Sequence, residues 1–303
     1  MMAENTAAVK SMYHQKKNRA GMGSILFDWF NYIFLGLVAI VMILPYIHVL
    51  ASSLTPLEDL VKKDFVLFPT RISLEAYRYV FASSMVPRGL LISVFITISG
   101  TCLNLFLSSI TAYPLAHRNL VGNKVMSLLV VFTMIFNGGM IPMYIIVLKL
   151  HLLNTYWALL LPYAISSFNL MLFRNYFREM PDELEEAAKI DGYNDISILF
   201  RIILPLSKPL LATFAIIFGV GHWNSWFTAV IYLTNARMYP IQVILRQVIT
   251  ASSQVGDTGS FATIPPMTVR MCTIAVTTVP ILMIYPFLQK YFTKGILIGS
   301  VKG

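Results

Sequence analysis

Long apolar stretches alternate with short charged ones along this chain. Six stretches hold about 20 or more mostly apolar residues, the length that a helix needs to cross the hydrocarbon core of a bilayer. They are residues 25–50, 89–115, 125–148, 154–175, 207–231 and 269–292. The pattern predicts an all-α integral membrane protein with six transmembrane helices.

The positions of the lysines and arginines orient these spans. An even number of spans puts both termini on one side of the membrane, and most of the basic residues fall on that side. The positive-inside rule therefore predicts a cytoplasmic N-terminus and a cytoplasmic C-terminus, N-in/C-in. The predicted organisation is a cytoplasmic tail, a transmembrane domain with a cytoplasmic loop and two outer loops, and a second cytoplasmic tail. These are residues 1–24, then 25–292 with loops 176–206, 51–88 and 232–268, then 293–303.

The amino-acid composition also indicates that lipid rather than water surrounds most of the chain. Of 303 residues, 57% are hydrophobic and only 12% are charged, whereas a soluble domain carries about 25% charged residues. The formal charge of +9 fits a membrane protein, because Lys and Arg accumulate in cytoplasmic loops and tails. The sequence has no basic run with interleaved aromatics, so we expect no nucleic-acid partner. Cys102 and Cys272 lie in apolar segments without metal-ligand spacing, so both are expected to be buried reduced thiols.

The centres of the predicted spans contain no Asp, Glu, Lys or Arg. Ion-coupled transporters usually keep ionisable groups at membrane depth, so the energy for any transport is expected to come from a partner. His222 is the one titratable group near a span centre, and it fits a hydrogen-bonded structural role better than a proton relay.

Polar residues nevertheless follow one face of the second span at helical spacing. They are Ser93, Thr97, Thr101, Asn104, Ser108 and Thr111. Other polar groups in the spans are Ser166, Ser167, Asn169, Trp223, Asn224, Ser225, Trp226, Thr273, Thr277 and Thr278. The hydroxyls suit bonds within or between helices. Amides and indole rings also suit hydroxyl-rich ring solutes, so we predict a substrate pathway lined by Asn104, Ser108, Asn137, Trp223 and Asn224.

The third span is interrupted by Asn137-Gly138-Gly139 and then Pro142. These residues weaken a helix and remove a backbone donor. The sequence predicts a break or re-entrant bend here, with a simple helix end near the outer surface as the alternative.

Loop 176–206 contains the most specific local signals. Pro181 and the acidic residues after it favour the start of a helix over 181–191, and Gly192 favours its end. Asn194 or Asp195 can cap a second helix, which Pro205 would end or kink. The prediction is a compact helix–turn–helix on the cytoplasmic side.

The spacing Glu186-Ala187-Ala188, then Gly192, then Ile202-x-Leu204-Pro205 resembles the EAA loop of ABC importer permeases. The wider pattern is similar to the maltose-type, carbohydrate-uptake branch. It includes Leu152-Leu153-Asn154-Thr155, Trp223-Asn224, Tyr239-Pro240-Ile241, and Tyr291-Phe292-Thr293-Lys294-Gly295 to Gly299-x-Val301-Lys302-Gly303. The stretch from Asn137 to Pro142 resembles the subgroup linked to polysaccharide or oligosaccharide uptake.

The resemblance implies a type I permease fold in a multi-pass protein of the bacterial cytoplasmic (inner) membrane, surrounded by lipid. It implies a second homologous permease, two ATP-binding-cassette ATPase subunits, an extracytoplasmic solute-binding protein and a carbohydrate substrate. Residues that would couple to the ATPase are Glu186, Ala187, Ala188, Asp191, Gly192 and Pro205. No GxxxxGK[ST] loop is present, so we expect ATP and Mg²⁺ to bind the partner ATPases and no cofactor to bind this chain.

Outer loop 232–268 contains an amphipathic stretch, 239–249, which either contacts the binding protein or only caps the spans. Two rival functions are a permease for a non-sugar solute and a membrane-embedded enzyme. The C-terminal pattern argues against the first. The second would need paired carboxylates or a nucleophile–base pair near a span end, and the acidic cluster of the loop is already explained by helix capping.

Overall fold

A computed structural model describes residues 22–63, 65–253 and 267–299, with Met22, 252–253 and 285–299 described by their backbone alone. All regular structure within these ranges is helical. Most of the predicted N-terminal tail lies outside the described residues. So do the outer-loop turn with Gly256, Gly259, Pro265 and Pro266, and the final Val301-Lys302-Gly303.

The chain divides into two compact units, Met1–Ser73 and Leu74–Gly303. In the first unit, the long apolar helix α1 (Met22–Ser53) is followed by the short helix α2 (Leu57–Leu60). The ring of His48 stacks on Phe65 with centroids 4.5 Å apart. Its Nδ1 lies 3.0 Å from the carbonyl oxygen of Val66, so His48 holds the following loop against the end of α1.

The second unit contains the remaining helices. They are α3 (Glu75–Ala82), α4 (Met85–Ala116), α5 (Asn123–Ile135), α6 (Met140–Lys149), α7 (Trp157–Leu160), α8 (Ser167–Arg178), α9 (Asp182–Ile190), α10 (Asp195–Ile198), α11 (Leu204–Leu206), α12 (Lys208–Trp223), α13 (Phe227–Tyr232), α14 (Ile241–Ser253) and α15 (Met267–Gly299). A 3-10 turn spans Leu161–Tyr163, and a π-helix spans Leu199–Ile203.

Helix α4 is the centre of this unit. It packs against α8, α12 and α14, and α12 packs in turn against α15. One apolar cluster joins the C-terminal end of α4 to α8, the π-helix and α12, around Phe173, Ile198 and Phe214. A second joins the N-terminal half of α4 to α6, α7 and α13, around Val147 and Tyr232. Both ends of α4 are therefore fixed by side-chain packing.

Three described helices are long and apolar enough to cross a bilayer: α1, α4 and the Met267–Ile284 part of α15. Two further spans arise if each bent helix pair counts as one, α5 with α6 and the Asp195–Leu206 segment with α12. The predicted span 154–175 is not one helix. It consists of α7, the 3-10 turn with Pro162 at its start, an extended Ser166 and α8, because the proline and the serine cap interrupt the hydrogen-bonded ladder.

The break predicted in the third span is present. Helices α5 and α6 meet at an angle of 115°. At the corner, the side-chain oxygen of Asn137 accepts a hydrogen bond of 2.9 Å from the amide of Gly139. Gly139 has φ +84° and ψ −177°, a conformation that is almost restricted to glycine.

The second helix of loop 176–206 runs continuously through α10, the π-helix and α11, over Asp195–Leu206. Pro205 lies in its last turn, where it removes a backbone amide donor. The helix ends one residue later and the chain bends by 82° at Ser207, which confirms the prediction for Pro205. Pro209 lies in the first turn of α12, where no amide donor is needed.

Two further expectations can be compared with the structure. Cys272 is buried, but Cys102 is exposed on the surface of the chain, so the expectation of two buried thiols was wrong for Cys102. The amphipathic stretch of the outer loop forms α14, which packs on α4. The Ile241 amide donates a hydrogen bond of 2.8 Å to the hydroxyl of Ser93, so α14 caps the bundle.

Gly139→Ala is expected to lower the free energy of unfolding by roughly 1–3 kcal/mol, because alanine is strained at this φ and ψ. The measurement is the thermal unfolding midpoint of the purified protein in detergent. Gly138→Ala is the matched control, since a Cβ there meets only the Pro142 Cβ at an ordinary 3.8 Å. Equal midpoints for the two variants would contradict the conformational explanation of the bend.

Candidate functional site

Loop 176–206 forms the helix–turn–helix that the sequence predicts. Helix α9 follows Pro181 and carries Asp182, Glu183 and Glu185 in its first turn, where carboxylates favour the positive end of the helix dipole. Gly192 closes it at φ +83°. A Cβ at Gly192 would have no atom within 4 Å, so glycine is required by the backbone conformation rather than by crowding.

The turn that follows α9 is held by local contacts. The side-chain oxygen of Asn194 caps α10 by accepting a hydrogen bond of 2.8 Å from the Ser197 amide. Lys189 Nζ lies 3.3 Å from the Asp195 carboxylate. The Gly192 amide also donates to the Lys189 carbonyl and the Tyr193 amide to the Ala188 carbonyl, each at 3.0 Å, so a short hydrogen-bonded turn joins α9 to α10.

Most of this unit faces outward. Of the predicted coupling residues, only Ala188 is buried, whereas the others are exposed. The exposed ones are Glu186, Ala187, Asp191, Gly192 and Pro205. The side chain of Ile190 is 87% exposed and that of Ile196 is 71% exposed. Exposed apolar residues beside a row of carboxylates are typical of a surface that another protein covers.

A second candidate site is a polar cavity of about 300 Å³ within the bundle. The cavity lies where two predicted spans are interrupted, between α7 and α8 and between α12 and α13. Its polar lining residues are Asn104, Tyr163, Ser166, Asn169, His222, Ser225 and Thr228. Non-helical backbone at membrane depth is stable only against protein or beside a cavity, and both interruptions meet this condition here.

Asn104 connects the two interruptions. Its amide nitrogen donates to the carbonyl oxygens of Tyr163 at 2.8 Å and Ala164 at 3.1 Å. Its side-chain oxygen lies 2.8 Å from His222 Nε2. Gly100, one turn earlier on α4, makes room for the His222 ring, because a Cβ there would come within 2.5 Å of Nε2.

The cavity is also lined by polar groups that can form further hydrogen bonds with a solute. The Asn169 carboxamide has no hydrogen-bond partner among the described residues, although the Asn169 amide nitrogen lies 3.5 Å from the Ser166 hydroxyl that caps α8. The hydroxyls of Ser225 and Thr228 lie 2.7 Å apart, which leaves each a free lone pair. The cavity can therefore offer both donors and acceptors to a neutral polar solute.

The structure does not gather the five predicted pathway residues into one site. Asn104 lines the polar cavity, but Ser108 is fully buried and its hydroxyl has no partner in the described part of the chain. Trp223 lines a different, mostly apolar cavity with Thr97 and Thr101. Asn137 lies at the α5–α6 corner, and Asn224 is exposed at the end of α12.

The residues added by the structure are His222, Ser166, Asn169, Ser225 and Thr228. Sequence analysis noticed the first as a structural histidine and three of the others as polar residues of the spans, without relating them. Ser166 directly precedes the start of α8, and Ser225 follows the end of α12. Their positions beside helix interruptions were the signal in the sequence that could have identified them. Their proximity depends on packing between segments that are distant in sequence.

Several helices long and apolar enough to cross a membrane, together with an exposed helix–turn–helix over α9 and α10, are features of a membrane transport subunit. Over residues 20–298, the chain matches the family described as the binding-protein-dependent transport system inner membrane component. The chain belongs to this family. It is a permease subunit of an ABC importer rather than an enzyme.

Relatives of the chain cover nearly all of it. It is 48% identical over 286 residues to the polygalacturonan/rhamnogalacturonan transport system permease protein YtcP of Bacillus subtilis (strain 168), covering 93% of this chain and 100% of that protein. It is 45% identical over 300 residues to protein LplC of the same organism, covering 98% and 100%. The crystal structure of a bacterial ABC transporter involved in the import of the acidic polysaccharide alginate matches with a TM-score of 0.83 and 30% identity, covering 90% of this chain and 98% of that one.

Asn104→Leu is expected to destabilise the protein by about 1–3 kcal/mol, because it leaves the Tyr163 carbonyl and the buried Ala164 carbonyl without their donor. Thermal unfolding of the detergent-solubilised protein measures this. Ser99→Ala, on the same helix, removes a hydroxyl that bonds only to carbonyls of its own helix and is the control. An unchanged midpoint for Asn104→Leu would show that the bridge contributes nothing to stability.

Proposed function

We propose that this chain is one of two paired permease subunits of a type I ABC importer and that it conducts an oligosaccharide across the bacterial cytoplasmic membrane. The observation that carries the proposal is the stiff, exposed α9–α10 unit, with its helix end at Gly192, beneath a bundle that contains a neutral polar cavity. The names of similar proteins support a carbohydrate: polygalacturonan/rhamnogalacturonan for one, and arabinooligosaccharides for another at 29% identity.

The topology that we propose has six spans with both termini cytoplasmic. Three continuous helices and two bent pairs provide five spans. The interrupted segment α7–α8 provides the sixth, stabilised at its break by Asn104. The domain boundaries follow as a tail over 1–24, a transmembrane domain over 25–292 and a tail over 293–303.

The partners that we propose are a second homologous permease, two ATPase subunits and an extracytoplasmic solute-binding protein. ATP and Mg²⁺ bind the ATPases, and this chain needs no cofactor. The exposed surface of α9 and α10, with Glu186, Ala187, Asp191 and Gly192, is the part that enters the ATPase. The exposed side of α14 in the outer loop is available to the binding protein.

Coupling requires α9 to move as a rigid body when the ATPases close on nucleotide. Pro205 and the π-helix continue this rigid segment to the bend at Ser207. There the direction of the chain changes toward α12, which carries His222 to the polar cavity. The carbohydrate pathway is proposed to pass this cavity, where amide and hydroxyl groups exchange hydrogen bonds with sugar hydroxyls.

Gly192→Val is expected to reduce substrate-stimulated ATP hydrolysis of the assembled complex to the basal rate. A β-branched residue is strained at φ +83°, so the end of α9 shifts relative to the ATPase. The assay uses proteoliposomes and a binding protein loaded with oligogalacturonides. Gly122→Val is the control, since Gly122 has a similar φ of +81° in a turn outside the loop. Full substrate stimulation of ATP hydrolysis in Gly192→Val would contradict the coupling role.

Asn169→Leu is expected to raise the KM for saccharide uptake at least about fivefold, the effect of losing one hydrogen bond to a sugar hydroxyl. Its carboxamide supports no other described side chain, so the unfolding midpoint should stay near that of the wild type. Uptake of labelled oligogalacturonide into proteoliposomes measures the KM. Thr213→Val on α12 is the control, because the Thr213 hydroxyl bonds back to the Pro209 carbonyl. Equal KM values for the Asn169→Leu and Thr213→Val variants would show that the cavity is not part of the pathway.

A further inference from the structure

Helix α9 is linked to the membrane bundle by a short contact between His117 and Glu185. The His117 Nε2 atom lies 2.6 Å from Glu185 Oε2. His117 caps the C-terminal end of α4, and Glu185 lies in the first turn of α9. The two residues are 68 positions apart in sequence, so the contact joins two separate elements.

The orientation of the His117 ring is fixed from both sides. Its Nδ1 lies 3.0 Å from the Tyr113 carbonyl oxygen, and the ring packs edge-on against the Tyr113 ring at 4.8 Å. Both ring nitrogens therefore face oxygen atoms, one on α4 and one on α9. These two contacts define how the ring lies between the two helices.

The end of α4 that carries His117 is itself tied to neighbouring helices. The Asn123 side chain, at the start of α5, donates to the carbonyl oxygens of Leu115 at 3.0 Å and His117 at 2.6 Å. Arg174 Nε, on α8, donates to the Leu115 carbonyl at 2.9 Å. These bonds satisfy carbonyls that a helix end leaves free, so His117 projects from a rigid base.

Helix α9 has few other attachments. Ala188 is its one buried residue, and the ion pair of Lys189 with Asp195 stays within the loop. Among the described residues, His117–Glu185 is the one ion pair that joins α9 to a helix outside the loop.

We propose that His117 and Glu185 are positioning residues that transmit the movement of α9 to α4. The pair makes the end of α4 follow α9, and α4 carries Asn104 about 20 Å further along the same helix axis. Movement at the ATPase would then reach the walls of the polar cavity. This inference rests on the proposed coupling function and adds to it the connection between loop and bundle.

The first experiment measures whether α9 and α4 move together in the assembled complex in nanodiscs. Spin labels are placed at Glu183→Cys on α9 and at Val121→Cys, which is 92% exposed just after α4, with Cys102 and Cys272 replaced by serine. Pulsed electron spin resonance should give one narrow distance that is the same without nucleotide and with ATP and vanadate. In His117→Ala or Glu185→Ala the distance should broaden or differ between the two states.

The second experiment measures the ratio of substrate-stimulated to basal ATP hydrolysis in proteoliposomes, with the binding protein loaded with oligogalacturonides. Each single variant should lower this ratio at least about fivefold, and the double variant should be no worse than either, because both remove one interaction. Glu185→Gln should retain most of the stimulation. A neutral His117 can still donate from Nδ1 to Tyr113 and accept at Nε2 from the glutamine amide. Lys124→Ala, an exposed cation at the start of α5, is the control.

A helix-capping role for His117 alone predicts a different result: Glu185→Ala would leave both the distance and the stimulation as in the wild type, and that outcome would overturn the proposal. A wild-type distance that changes between the two nucleotide states would also overturn it. The coupling function is tested separately by Gly192→Val. If that variant loses stimulation while Glu185→Ala keeps it, the coupling loop stands and the His117–Glu185 connection is wrong.

Discussion

A buried carboxamide, that of Asn104, holds two interrupted helices together inside an apolar bundle. An interruption frees carbonyl groups that lipid cannot hydrogen-bond, and each unpaired group costs several kcal/mol there. Asn104 provides two donor hydrogens for the carbonyls of Tyr163 and Ala164 and one acceptor for His222. Gly100 allows the His222 ring to approach. Because these bonds fix both interruptions relative to α4, the polar groups beside them keep the positions that define the cavity.

The two candidate sites lie on one continuous helix. Asn104 lies within α4, and His117 caps its C-terminal end. Pro114 removes one backbone bond of α4 between these two residues, but α8 and α12 pack against the helix. Under the proposed coupling, a displacement at His117 would reach Asn104 through this packed segment. The polar face of α4 is mostly turned inward: Ser93 and Asn104 bond to other segments. It therefore stabilises the bundle at two points as well as lining the cavity.

The parts of the structure that the sequence predicted are those with local signals. Pro181, Gly192 and Asn194 define the ends of α9 and α10 through their own backbone preferences, and Asn137 with Gly139 defines the corner of the third span. The cavity could not be predicted in this way, because Asn104 and His222 are 118 positions apart and only packing brings them together. The interruption at Ser166 was missed because the apolar character of 154–175 continues through it. Pro205 is a further local signal, since the helix that contains it ends one residue later, at Leu206.

The exposure of Ile190 has a consequence for how the complex is assembled. An aliphatic side chain that is 87% exposed on a helix outside the bundle is a liability while the subunit has no partner, because exposed apolar groups promote association with other chains. Cells that synthesise this permease in excess of its ATPase would expose that helix for longer and lose more of the subunit to degradation. Stoichiometric synthesis from adjacent genes would shorten this vulnerable period.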